Sequence, residues 1–436
     1  MRTLARDTLI VLAANALTFA FGLGVQAVLA KSLGIEGRGA YAACVTTFVF
    51  TLTLCFTLGQ EMANVYFVGS GKMSTSAAFT QSLLIGGVNS VLAVAAGLAV
   101  ILLPLKLFDK APHADFRFAL VAVAPMILAQ FLSRIFLGKG KMGAFAVLAA
   151  APLTFQCIGL LICWPLGPTP RTAVGVFAAS QALTALMAGV MLVSREGCRL
   201  VRPKLVHLRQ CIGYGLRFYA GKLLSMVNVQ LGTILLAFTD VTAGTLGVFA
   251  AGIAIVTRLW MVPDAIQVAI LPRTSASPEG RKEMVAQTAR ISLSACVVAA
   301  AVLAVLLKPI ILLVLTEKFL PVIPALLCAL PGVALRSVSK ILPGYFNGIN
   351  KPQISSLSIL VSLGTSIGLA LTLLPRLGLV GLGIAMTCGY TVEVLLMSIA
   401  FTLYSKIAVH KLLFVRRSDV ALLLSMSRKL LGRPQT

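Results

Sequence analysis

The charged residues of this 436-residue chain are swept into short gaps between twelve long apolar runs. The runs cover residues 8–30, 40–67, 77–104, 118–137, 144–166, 172–194, 213–238, 245–271, 287–307, 321–347, 354–374 and 379–404. Each is long enough to cross a hydrocarbon core of about 30 Å as a helix, which takes roughly 20 residues. Only 11% of the residues are charged, so these segments keep no polar face to meet water. The expected fold class is an all-α polytopic membrane protein with about 12 transmembrane helices.

Arg and Lys collect in cytoplasmic segments, so alternate gaps can be compared. One set takes in the N-terminus, Lys72, the gap at Arg134, the segment Arg195 to Arg217, the gap from Arg273 to Arg290, Lys351 and the C-terminal tail. It holds 24 basic residues, and the opposite set, from Lys31 and Arg38 to Arg376, holds 9. Both termini are therefore expected in the cytoplasm. The formal charge of +24 is spread over many short loops, with no aromatic-interleaved basic domain, so nucleic acid is not an expected partner. The tail, 405–436, reads either as an amphipathic helix on the anionic inner leaflet or as a basic tail that only sets topology. The first run follows Arg2 and Arg6 like a signal peptide, but its length marks an uncleaved first helix.

Seven of the nine cysteines lie within apolar runs, and Cys198 and Cys211 fall in the predicted cytoplasmic loop, where thiols stay reduced. There is no CxxC, and His113, His207 and His410 are far apart, so no metal site is expected. No paired-carboxylate cluster, GxSxG, Walker sequence or long external loop is present, which argues against an enzyme. The most basic internal loop divides the chain into a six-helix bundle over 1–194, a linker at 195–212, a second six-helix bundle over 213–404 and the tail. At an offset of 208, Gly24, Gly39 and Tyr41 align with Gly232, Gly247 and Phe249. Parallel repeats of this kind are a common transporter architecture, with substrate bound between the halves.

Charges inside a span are expensive unless they face a cavity or a partner. Arg258, Arg336 and Glu393 count to mid-membrane, and Lys222, Asp264 and Lys340 lie closer to the cytoplasmic side. Arg336 and Lys340 are spaced i, i+4 on one helix face. Two arrangements satisfy them: an anion such as a phosphate bound between them, or Arg336 paired with Glu393 while Lys340 reaches the interface. Pro263 frees helix carbonyls beside Asp264 and Gln267, which suits proton or cation coupling. The alternative is an ion pair of Asp264 with Lys222 or Arg258 that fixes helix packing. Glu61, with Gln60 and Asn64, and Arg134, with Gln130, lie near span ends from which they can reach the interface. Glu61 is also a candidate for coupling. Asn15, Gln26, Asn228 and Gln230 either line a cavity that binds sugar hydroxyls or bond between helices.

Four segments carry a family resemblance. They are Lys31-Ser32-Leu33-Gly34-Ile35-Glu36-Gly37-Arg38-Gly39-Ala40-Tyr41-Ala42, Tyr214-Gly215-Leu216-Arg217-Phe218-Tyr219, Gly344 to Pro352, and Leu374 to Ala385. In order and spacing they resemble bacterial polysaccharide-biosynthesis flippases, which share a superfamily with multidrug-and-toxin extrusion proteins and lipid II flippases. The resemblance implies two six-helix bundles forming a V around a central cavity in the bacterial cytoplasmic (inner) membrane. It implies translocation of an undecaprenyl-pyrophosphate-linked oligosaccharide for surface polysaccharide such as O-antigen or lipopolysaccharide. Its partners would be that lipid-linked oligosaccharide, membrane lipids and a polysaccharide polymerase complex. On this reading Arg336, Lys340, Arg258 and Lys222 serve the pyrophosphate, Asp264 or Glu393 carries H+ or Na+ coupling, and no cofactor is required. The alternatives are cation-coupled drug export and a membrane polymerase or ligase. Drug exporters commonly carry an acid within the first span, whereas Asp7 here lies only at its edge.

Overall fold

The computed structural model describes residues 2–261, 263–264, 278–349, 351 and 353–413, with side chains described from residue 13 except at 15, 217–218, 278–281, 347–348 and 410–411. Most of the tail thus lies outside the described residues. No strand occurs among the described residues. The first helices are α1 (Arg2–Tyr41), which runs through a π-helical stretch, Ala42–Val49, into α2 (Phe50–Phe56), and then α3 (Gln60–Gly69). Next come α4 (Thr75–Ile101), α5 (His113–Ala119), α6 (Val123–Gly138), α7 (Met142–Cys163) and α8 (Pro170–Glu196). The second part contains α9 (Leu205–Ala237), α10 (Ala243–Val256), α11 (Pro278–Val314), α12 (Ile323–Gly348), α13 (Gln353–Leu377), α14 (Leu379–Ser405) and the short α15 (Val409–Leu413).

Among the described residues eleven helical stretches are long and apolar enough to cross a membrane, and the first, Ala16–Phe56, is 41 residues long. A straight helix of that length would reach about 60 Å, twice the hydrocarbon core. It is broken at Gly34, where φ is 64° and ψ is −170°, a conformation open essentially to glycine alone. The break divides this stretch between the first two apolar runs, so the eleven stretches contain the twelve expected spans. Helix starts follow local chemistry: Ser74 and Thr169 each cap a helix by accepting from a backbone N–H at 3.2 Å.

The chain forms two compact units, Met1–Ile255 with Lys308–Ile323, and Val256–Leu307 with Pro324–Thr436. In the first unit α1 packs on α7, and α6 is flanked by α3, α4 and α8. Phe48, Phe108 and Phe116 meet edge to face, with centroids 4.8–5.8 Å apart. Gaps assigned to the same side of the membrane meet at the same end of this unit. Lys139 and Lys141 both reach Glu196 at 2.5 Å, and Arg199 N–H donates to Ser76 Oγ at 3.2 Å. At the opposite end Lys106 pairs with Asp240, while Lys110 Nζ donates to the carbonyls of Thr239, at 2.8 Å, and Val241. Burial lowers the Lys110 pKa, with Asp109 and Asp240 opposing the shift.

The faint internal echo becomes a reciprocal contact. A Cβ on Gly39 would fall 1.7 Å from the carbonyl oxygen of Ala243, and one on Gly247 would fall 2.3 Å from that of Ile35. Residues 35 and 39 stand 208 positions before 243 and 247, so each partner makes toward the other the contact it receives. That is the signature of two elements related by a twofold axis. Only glycine allows backbones to approach this closely.

Cys198 and Cys211, placed by the sequence in a loop, are both buried. The Cys211 thiol donates to Gln81 Oε1 at 3.4 Å. Burial pushes its pKa from 9.0 to about 11, only partly offset by Gln60. The folded chain thus holds this proton more tightly than the unfolded one. The resulting stability is complete below about pH 8.5 and is lost as pH rises through about 11. Maleimide at pH 7.5 should leave Cys198 and Cys211 unmodified until the protein is denatured, as read by peptide mass spectrometry. Rapid labelling of Cys211 in the native protein would contradict its burial.

In the second unit α13 and α14 form a tightly packed hairpin that turns at Gly378. The 3-10 turn Thr257–Trp260 is tied to α12 by Trp260 Nε1–H, which donates to the Val333 carbonyl at 3.0 Å.

Candidate substrate and coupling site

In the second unit the interior charges gather around Trp260. Arg336, from α12, is 4% exposed and lies over two rings, 5.0 Å from the Trp260 centroid and 4.6 Å from that of Tyr390. Its Nε is 3.5 Å from Glu393 Oε2 on α14, and Glu393 is 2% exposed. A guanidinium held between aromatic faces and a carboxylate is well suited to burial, because it is planar and weakly hydrated.

One turn further along α12, Lys340 Nζ lies 2.7 Å from Asp264 Oδ1 and 2.8 Å from Oδ2. This pair is open, with the side chains 30% and 49% exposed, and Lys340 also lies 5.7 Å from the Trp260 ring. Of the two partners the sequence offered Asp264, neither is used: its carboxylate engages Lys340. The like charges on one helix face therefore each have their own carboxylate. Arg258, at the start of the Trp260 turn, is half-buried and forms no ion pair among the described residues. Gln267 lies outside the described residues.

The other candidates belong to the first unit. Lys222, from α9, pairs with Glu61, which is 1% exposed and keeps Oε2 without a hydrogen-bond partner among the described residues. Glu61 therefore does not reach the interface as its position near a span end suggested; α9 covers it and supplies the counter-charge. Beside it Tyr219 Oη donates to the carbonyls of Leu54 and Cys55 at 3.0 and 2.8 Å. Arg134 is half-buried, over the ring of Phe145 at 5.0 Å. Asn228 is buried and partnered, Gln230 is half-buried, and the Asn15 side chain lies outside those described.

Gln26 leads to a residue that sequence reasoning missed. Its Oε1 accepts from Arg38 Nη2 at 2.8 Å, and Arg38, counted as a loop charge, is 3% exposed. The guanidinium lies 5.3 Å from the Tyr41 ring, and Tyr41 Oη accepts from Gln156 Nε2 at 2.8 Å. Arg38 Nε and Nη1 have no hydrogen-bond partner among the described residues. The available signal was its setting between Gly37 and Gly39, where the backbones come close enough to enclose a side chain.

Long apolar spans with a few interior charges held in ion pairs define a multi-pass membrane protein. The chain belongs to the polysaccharide biosynthesis protein family, whose model matches residues 4–278. No curated protein matches the sequence. Its fold is that of several solved transporters. The lipid II flippase MurJ in an inward closed conformation is similar with a TM-score of 0.71 at 14% identity, over 98% of this chain and 94% of the other. An inward-facing multidrug resistance MATE family transporter of the MOP superfamily gives 0.66 at 14% identity, over 92% and 98%. A MOP superfamily transporter from Pyrococcus furiosus gives 0.64 at 14% identity, over 92% and 95%.

Proposed function

We propose that this protein is a flippase that moves an undecaprenyl-pyrophosphate-linked oligosaccharide from the cytoplasmic to the outer leaflet of a bacterial inner membrane. It works by alternating access, with both termini in the cytoplasm. Membership of the polysaccharide biosynthesis family carries this reading. The chemistry of the second unit supports it, since the accessible cation there, Lys340, is held by a carboxylate rather than buried in apolar packing.

A pyrophosphate offers Lys340 more negative charge than Asp264 does. Substrate would take the ammonium from Asp264 and recruit Arg258, and the released carboxylate would bind H+ or Na+. Exchange of one anion for another costs less than bringing a bare charge into the membrane interior. Arg336 and Glu393 would position this centre through Trp260.

Complementation of a strain lacking its own polysaccharide flippase tests the reading. Lys340→Ala and Arg258→Ala should each abolish surface polysaccharide while the protein still accumulates in the membrane. Normal export by both variants would overturn the assignment. Raised resistance to cationic drugs without polysaccharide export would instead indicate drug efflux, and altered glycan chain length with intact translocation would indicate a polymerase or ligase.

A further inference from the structure

A cationic recess lies in the first unit, and none of the interior ion-pair residues lines it. It is about 860 Å³ in volume and is formed by the end of α3, the turn that follows and the start of α9. Tyr66 and Tyr214 make its aromatic wall, stacked with centroids 4.4 Å apart and planes 11° from parallel, and Phe67 meets Tyr214 edge-on at 5.6 Å. Lys72 is held at the mouth, with Nζ donating to Tyr66 Oη at 3.2 Å and lying 5.2 Å from its ring centroid. Arg209, Gln210 and His207 complete the polar lining, which contains no Asp or Glu. His207 Nδ1 is buried without a hydrogen-bond partner among the described residues. The recess thus presents cations and unspent hydrogen-bonding groups with no anion of its own to satisfy them.

Its surroundings place it at the depth of lipid headgroups. The apolar run carried by α9 begins at residue 213, so the lining residues 206–214 sit at its end and reach no more than about 10 Å beyond it at 1.5 Å per residue. Leu200, Leu205 and Val206 are exposed beside Arg199, Arg202 and Lys204, the mixture of apolar and basic side chains that suits a membrane surface. Stacked tyrosines belong to the same zone.

We propose that this recess binds the phosphate head of a membrane lipid, with Lys72 and Arg209 gripping the phosphate oxygens and Tyr66 packing against the adjoining glycerol or sugar. Two lipids share this chemistry, an anionic phospholipid and a polyprenyl pyrophosphate. In the second case the recess would be a docking point for cargo at the membrane surface. Arginine supplies the bidentate contact and lysine the point charge.

The test uses the full-length protein in detergent, titrated separately with phosphatidylglycerol, undecaprenyl pyrophosphate and inorganic pyrophosphate, with retained ligand read by native mass spectrometry. Lys72 and Arg209 are exposed, so the double variant Lys72→Ala/Arg209→Ala should fold normally. Wild type should retain at least one of the two lipids, and the double variant should bind it at least about tenfold more weakly, the loss expected for two charge-assisted contacts. Preference for the polyprenyl pyrophosphate would assign the recess to cargo, and equal retention of phosphatidylglycerol would assign it to the bulk membrane. Unchanged lipid retention in the double variant, or binding of inorganic pyrophosphate without either lipid, would overturn the proposal. No transport is measured, so the result stands apart from the export assay.

Discussion

Glu393→Ala should destabilise the protein by about 3–5 kcal/mol, because it leaves the Arg336 guanidinium buried without its carboxylate. Arg336 is 4% exposed and cannot turn to solvent in its place between Trp260 and Tyr390. Arg336→Lys should not be a mild change, since an ammonium lacks the broad, weakly hydrated surface that packs on the two rings while also reaching Glu393. The double variant Arg336→Met/Glu393→Leu removes both charges at similar volume and should recover most of the lost stability. Trp260 makes the measurement direct, as one of two tryptophans in the chain and the ring on which Arg336 lies. Thermal unfolding in detergent, followed by tryptophan fluorescence, would rank the four proteins. A Glu393→Ala variant as stable as wild type would mean that Arg336 is not held in a dry site. Export by the double variant adds a separate reading: activity recovered with stability makes the pair a packing device, and stability without activity makes it part of transport.

Gly39→Ala should be nearly as damaging, although it adds a single methyl group. That methyl would lie 1.7 Å from the Ala243 carbonyl oxygen, backbone that cannot yield by changing rotamer. The cost belongs at the upper end of the about 1–3 kcal/mol typical of overpacking. Gly247→Ala should match it, facing Ile35 O at 2.3 Å and Gly39 N at 2.6 Å. Gly87→Ala in α4 is the control, because nothing lies within 4 Å of its added Cβ, and it should be neutral or slightly stabilising. Membrane accumulation and melting temperature of the three variants decide the matter. If Gly39→Ala behaves like Gly87→Ala, the backbones are not pressed together at this crossing.

The spans were legible because excluding charge from a lipid core leaves a strong trace in the sequence. Even the two spans joined into one helical stretch were marked, by Gly34 and the polar residues around it. Partnerships were less legible. Arg336 with Glu393 was one of two arrangements that charge and spacing allowed, whereas Lys222 with Glu61 joins positions 161 residues apart and Lys340 with Asp264 joins positions 76 apart. Nothing in linear order selects between such partners; the crossing of helices does. Arg38 was misread for the opposite reason. Basic residues near a span end are ordinarily at the surface, and this one is enclosed by Gln26, Tyr41 and the close-packed backbones beside it.

The first compact unit runs unbroken from the N-terminus through Ile255 and takes back Lys308–Ile323. Cleaving the chain within the basic segment between α8 and α9 would therefore sever a single body rather than release a finished one. An N-terminal fragment ending there would carry Gly39 without Ala243, Glu61 without Lys222 and Lys110 without its two carbonyl acceptors. Such fragments should be complementary pieces, unstable when made singly and competent only when synthesised together.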